Sequence, residues 1–246
     1  MGPREFHGEI PSTQDRAIEL VRAGATEGTR VVACRQTAGR GRLDHLWASP
    51  EGGLYLSIVL AVPSDHPTLL PLALGARLAQ ELGDRYSVPL LVKWPNDVVV
   101  SAPRQPPKKL AGVLVDRVSS PSAGALAVAG IGVNVANRSG GWPVEVRDQA
   151  TSLGELLRTP PPLDEVEEVV VGAAMGASTG LQDRGGLDAT RALCRRRLYG
   201  VGHHASVDGR PVGIIAGLGD EGELLIDDGG DRVTIRAGDL RVEEAR

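Results

Sequence analysis

Thiols are scarce in this chain: its 246 residues include only Cys34 and Cys194. The two lie far apart, in no metal or dithiol spacing, which argues against a disulfide scaffold, a zinc ribbon or a redox pair. A reduced, cytoplasmic protein is the expectation. Aromatic residues make up 3% of the chain, too few for a base-stacking surface, so the core falls to Leu, Val, Ala and Ile. Positive charge is not in excess either. With 27 basic against 31 acidic side chains the net charge is −4, which argues against broad binding to nucleic acid or anionic membranes but leaves room for a local basic loop. No apolar run is long enough to cross a bilayer, and the opening MGPREFHGEIPS lacks the apolar core of a signal peptide. Walker A, dinucleotide-binding G-x-G-x-x-G and G-x-S-x-G motifs are all missing. Any phosphate handling is therefore not by a P-loop, and no serine nucleophile is indicated. The histidines show no metal spacing, and His203–His204 reads as a loop feature.

What is present suits one large domain with a small appendage. Strand and helix patterns alternate from the start. STQDRAIELVRAG reads as a helix with Ser12 as N-cap and Gly24 just past its end. RVVAC (30–34) reads as a short strand, GGLYLSIVLAV (52–62) as a long one, and residues 67–82 as a helix. LLVKW, LAGVLVDRV and ALAVAGIGVNV supply three more strands, with SAPRQPPKK (101–109) as a proline-rich turn between them. Ser152 and Glu155 have capping-box spacing, and helical pattern then runs to about Leu198. From Tyr199 onward short β runs broken by Asp/Gly turns indicate a small antiparallel barrel. The expected division is 1–198 and 199–246.

Three clusters carry candidate chemistry. TAGRGRLDHLW (37–47) follows a strand; Gly39 and Gly41 let backbone N–H groups approach an anion, and Arg40 and Arg42 add planar charge. It reads equally as a clamp for phosphate or carboxylate and as a solvated basic turn. KWPND (93–97) places Asn96 and Asp97 at a turn tip. Asn96 suits an adenine edge, while Asp97 suits Mg²⁺ or a plain turn carboxylate. KKLAGVLVD (108–116) puts two lysines, ordinarily solvated, at the mouth of an apolar strand, and Gly112 hints at close approach by a ligand or a neighbour. GIGVNV (130–135) sets Asn134 in an apolar strand, where its amide needs partners from the protein or from a ligand.

In the order Ser12-Thr13, QTAGRGR, Trp47, SPEGGLYLS, KWPND, KKLAGVLV, GIGVNV, Thr151-Ser152-Leu153 and then a small β region, the chain resembles the biotin protein ligases over nearly its whole length. The resemblance implies an α+β fold: a class II aminoacyl-tRNA synthetase-like catalytic domain, with a mixed sheet flanked by helices, plus an SH3-like C-terminal barrel. It implies biotin–[acetyl-CoA-carboxylase] ligase activity, joining biotin to a lysine of a biotin carboxyl carrier protein domain through biotinyl-5′-AMP, with ATP and Mg²⁺. Carried over by motif, Ser12, Thr13 and Gln36 would hold the ureido end of biotin, with Gln14 beside them. The 39–42 loop, including Gly39, Arg40 and Gly41, would hold its carboxyl end, with Gly112 also among the biotin-binding residues. Arg42 and Lys109 would flank the carboxylate and the α-phosphate as the catalytic pair. Asn96 and Asn134 would contact adenine, and Trp47 would close the loop; Mg²⁺ at Asp97 remains the reading of the turn itself.

Two departures stand out. Leu43-Asp44-His45 replaces the glycine-containing basic continuation usual after GRGR, and Gln14 replaces the asparagine of Ser-Thr-Asn. The dozen or so residues before Ser12 leave no room for a winged-helix domain, so a monofunctional ligase without DNA binding is expected; a homodimer is left open. Rival readings are a lipoyl- or octanoyl-protein ligase and a non-catalytic biotin or nucleotide sensor whose loop Asp44 has spoiled. An RNA-binding module is disfavoured by charge and by the few aromatics.

Overall fold

Residues 2–62, 66, 68–102, 105–121, 123–138 and 141–243 are described by the computed structural model, Asp44 by its backbone alone. Strands β1 (Arg4–Ile10), β2 (Arg30–Gln36), β3 (Gly53–Ala61), β4 (Leu90–Lys93), β5 (Asp97–Ala102), β6 (Gln105–Ser120) and β7 (Gly124–Asn134) form one sheet in the order β1-β2-β3-β7-β6-β5-β4. Only β1 and β2 run parallel; the other pairings are antiparallel, so the sheet is mixed.

The sheet buries both faces unequally, and side-chain alternation shows how. On β3, Leu54, Leu56, Ile58 and Leu60 enter the main core beneath α2 (Leu70–Tyr86) and α5 (Leu163–Thr179). The opposite face of β3 presents Tyr55, Ser57 and Val59 in turn. Val59 joins a small core with Val118, Val128 and two residues of α1 (Thr13–Arg22), Ala17 and Val21. Beyond the cover of that helix the same face turns polar or glycine-lined. Ser57 pairs with Gly130, Tyr55 with Gly132, and Gly132 with Gly112 across three adjacent strands. A shallow floor is left there without side-chain bulk. Ser12 caps α1 by accepting from the Asp15 N–H at 3.2 Å, and Gly24 follows its end with φ +97°.

Past β7 come α3 (Val144–Arg147), α4 (Leu153–Leu157, capped by Ser152), α5 and α6 (Arg184–Arg197). Five antiparallel strands follow: β8 (His204–Val207), β9 (Arg210–Leu218), β10 (Leu224–Asp228), β11 (Asp231–Ile235) and β12 (Leu240–Val242), ordered β11-β10-β9-β8-β12. The β9–β10 turn docks on the first sheet and its helices. Trp94 Nε1 donates to Gly222 O at 2.9 Å, Arg195 meets Asp220 at 2.6 Å, and His66 meets Glu221 at 2.8 Å. Among the described residues no helix is long and apolar enough to cross a membrane.

Three readings of the sequence need correction. Much of 101–109 is strand rather than turn: Gln105–Lys109 begin β6, and residues 101–102 end β5 (Asp97–Ala102), which the sequence reading passed over, while 103–104 lie outside the described residues. Pro106 and Pro107 are accommodated because the β5–β6 register shifts beside them, between Val100 and Ala102. β1 was also passed over, since an edge strand of mostly exposed residues has no apolar alternation to announce it. His204 opens β8 rather than lying in a loop.

Candidate active site

The bare floor formed by Gly112, Gly130 and Gly132 is the base of a pocket, and the Arg/Gly segment is its roof. That segment is closed on itself by Gly41 N–H to His45 O at 2.7 Å and Trp47 N–H to Gly39 O at 2.9 Å. Its tip carries a single 3₁₀ turn, in which Leu43 is left-handed at φ 51° and exposed. A left-handed conformation is one that glycine adopts most readily, so Leu43, the first residue of the departing Leu43-Asp44-His45 stretch, holds a backbone shape unusual for a branched side chain. The expectation that Asp44 disturbs the loop concerns a side chain outside the described residues.

Trp47 reaches from the roof to the floor. A Cβ on Gly132 would lie 2.5 Å from its Cε2 and 2.6 Å from its Nε1, and one on Gly112 would lie 2.7 Å from its Cζ3. The close approach that Gly112 signalled is therefore to a neighbouring indole. Among the described residues, Trp47 Nε1 is a buried donor without an acceptor, an unusual cost in a native structure.

At one end of the pocket, Thr13 N–H and Oγ1 both donate to Gln36 Oε1, at 2.8 and 3.0 Å, and Gln36 Nε2 donates to Ser49 Oγ at 2.9 Å. The Thr13 hydroxyl also lies 2.9 Å from Ser57 Oγ. At the other end Lys109 Nζ sits 2.7 Å from Asp97 Oδ1 and 4.8 Å from the centre of the Trp47 ring. Arg42 Nη1 reaches Asn96 Oδ1 at 3.4 Å. One pocket thus has an amide-and-hydroxyl end and a cationic end, joined by a glycine floor.

Not every candidate stands on its wall. Thr13, Gln14, Gln36, Arg40, Gly41, Arg42, Trp47, Asn96, Asp97, Lys109 and Gly112 line it; Ser12, Gly39 and Asn134 do not. Ser12 is a buried helix cap. Gly39 is packed so that a Cβ would meet Trp47 O at 2.5 Å. Asn134 finds its partners within the protein, donating to Thr151 O at 3.0 Å and Lys109 O at 3.4 Å. Arg40 lines the rim of the pocket while its guanidinium pairs with Asp15 and Asp116. Residues the sequence did not single out also appear: Tyr55, whose buried hydroxyl is pushed up to about 12 and donates to Pro50 O, and Gly238 and Asp239 from the β11–β12 corner. The paired glycines of GIGVNV were the available signal for Gly130 and Gly132. Nothing local marked the β11–β12 corner.

A sequence model of the biotin/lipoate A/B protein ligase family matches residues 9–134. The bifunctional ligase/repressor BirA of Bacillus subtilis is 35% identical over 153 residues, which are 61% of this chain and 46% of that protein. The biotin–[acetyl-CoA-carboxylase] ligase of Mycobacterium tuberculosis is 31% identical over 241 residues, 93% of this chain and 85% of that one. Among solved structures, a biotin protein ligase from Aquifex aeolicus in complex with biotin and ATP aligns over 100% of both chains, with a TM-score of 0.84 and 29% identity. The chain spans less than half the length of the Bacillus relative.

Proposed function

We propose that this chain, which belongs to the biotin/lipoate A/B protein ligase family, activates biotin with ATP and transfers it to a lysine of a biotin carboxyl carrier domain. The observation that carries this reading is the two-ended pocket. A neutral hydrogen-bonding end at Thr13 and Gln36 suits a ureido ring, and a cationic end at Arg42 and Lys109 suits two anions.

A free carboxylate is a poor acyl donor. Its oxygen attacks the α-phosphorus of ATP, a P–O bond forms, and the bond to pyrophosphate breaks. Negative charge then builds on the phosphoryl oxygens, where fixed cations lower the barrier because they need no reorganisation. The lysine amine of the carrier next attacks the acyl carbon, loses its proton, and expels AMP. The roof would shield the mixed anhydride from water. The Trp47 N–H, without an acceptor among the described residues, is a buried donor that suits a ligand acceptor. Asn96 is assigned to the adenine end, with Asn134 holding Lys109 O and Thr151 O, and residues 199–246 are assigned to a second domain.

Asp97 is the residue that would hold Mg²⁺. A carboxylate on the wall of a pocket for phosphates, here paired with Lys109 at 2.7 Å, matches the way this ion is held, by one or two carboxylates together with substrate oxygens. When bound, the ion would supply further charge neutralisation at the phosphates.

Biotin-dependent ATP–pyrophosphate exchange, followed by transfer of labelled biotin to a carrier fragment, tests the proposal. Saturation by lipoate in preference to biotin would favour a lipoyl ligase. Tight biotin binding with no AMP released on addition of the carrier would indicate a sensor.

A further inference from the structure

The geometry points to Asp116 as a positioning residue: we propose that, with Asp15, it latches Arg40 and so holds the Arg/Gly loop shut over the pocket. Asp116 closes the KKLAGVLVD stretch without a role assigned to it there, and the resemblance gave Arg40 a different task, at the substrate carboxylate.

Asp116 stands on the pocket face of β6, directly opposite Val128. It is anchored from beneath by Gln14, whose Nε2 donates to Asp116 Oδ2 at 3.1 Å and to Val128 O at 2.9 Å. Gln14 Oε1 in turn accepts from Ser57 Oγ at 3.1 Å, and the side chain is 3% exposed. Both amide hydrogens are committed within the protein, so Gln14 has no donor left for a ligand. Its amide is housed over Gly130, where a Cβ would come within 2.6 Å of Oε1 and 3.3 Å of Cδ. The replacement of asparagine by glutamine thus builds a support under Asp116.

The same Oδ2 atom faces Arg40 Nη1 at 3.4 Å, and Asp15 Oδ1 takes that nitrogen at 2.8 Å. Arg40 is bridged to Leu46 across the neck of the loop. One guanidinium therefore ties the roof to β6 and to α1, the two elements that flank the pocket. The three side chains are 30–56% exposed, and pairs this open are weak and screened by salt. Weak attachment is what a roof needs if it must open once per turnover.

The kinetic consequence rests on the functional reading above, but the latch belongs to the chain itself, so the experiment separates the two. The full-length protein, without ligand, is compared with Asp116→Asn, Asp15→Asn and the double variant by amide hydrogen exchange at Gly41 and Trp47. Each single variant is expected to exchange about three- to fivefold faster, and the double variant faster still. About 1 M salt should bring the wild type near the double variant and leave the double variant unchanged. Asp116→Glu should restore protection. Equal exchange in all forms overturns the latch. Loss of protection along β6 in Asp116→Asn overturns it as well, by making Asp116 a structural residue. In turnover, the variants should release bound biotinyl-5′-adenylate severalfold faster at an almost unchanged rate of pyrophosphate exchange, and an unaltered adenylate lifetime counts against the latch. A wild type that forms no adenylate sinks the functional reading, while the exchange data still decide the latch.

Discussion

Lys109 Nζ stands 2.7 Å from the Asp97 carboxylate while facing the Trp47 ring. One cation thereby joins β6, the KWPND turn and the Arg/Gly roof. Lys109→Ala should lower biotin-dependent pyrophosphate exchange by about a hundredfold or more, since removal of one preorganised charge-stabilising donor costs on the order of 3 kcal/mol. Arg42→Ala should do likewise. Near-normal exchange in both variants, with the unfolding midpoints unmoved, would remove this pair from the mechanism.

Gly132→Ala tests the floor. The added methyl would sit 2.5–2.6 Å from the indole of Trp47, so the ring must lift. Overpacking of this kind costs about 1–3 kcal/mol, and biotin should bind at least about tenfold more weakly. Isothermal titration measures the affinity. Unchanged binding would mean that the indole moves aside freely.

Gln36 is coupled to Thr13 through one acceptor atom. Gln36→Met leaves the Thr13 N–H and hydroxyl to find new partners, a cost of about 1–3 kcal/mol in stability. Combined with Thr13→Val, the loss should be smaller than the sum of the single losses, because both changes break the same contact. Urea unfolding of the four forms provides the cycle, and strict additivity would refute the coupling.

Acid stability should depend on Glu167. Its carboxylate accepts from Arg4 at 2.8 and 2.7 Å and from Arg30 at 3.0 Å. Arg4 foremost, with Arg30 adding to it and burial opposing, holds its pKa below the ordinary carboxylate value of 4.5. A depressed folded-state pKa stabilises the fold above the unfolded value, and that contribution is lost as pH falls through the folded value. Glu167→Gln should therefore be less stable than wild type by about 2 kcal/mol near neutral pH, and the gap should narrow as pH falls below the ordinary carboxylate value of 4.5. A gap that stays constant with pH would exclude this ion cluster as its source.

The sequence disclosed elements wherever burial was one-sided or complete. β3 and β7 were visible because long apolar runs must lie inside, and α1 because Ser12 and Gly24 punctuate it. β1 and β5 escaped because an edge strand and a short strand beside a proline pair owe their existence to neighbours rather than to their own pattern. The site divides in the same way. Arg42, Trp47, Asn96, Asp97 and Lys109 lie in compact motifs and converge. Asp116 ends the KKLAGVLVD stretch and Asp239 lies in no motif, and what each faces follows only from register and from the docking of one sheet on another. Gln14 shows a subtler limit: the substitution was visible in the chain, but its meaning required Gly130 and Asp116 beside it.

Gly238 and Asp239 complete the pocket wall from a corner almost two hundred positions downstream of Arg42. During synthesis, then, the roof, the floor and the lysine leave the ribosome well before that corner does. A nascent polypeptide would carry all the compact motifs yet hold its ligands poorly until β12 has paired with β8. Occupancy of the pocket would thus report that the second sheet has folded, and substrates would stabilise the two sheets together rather than the first alone.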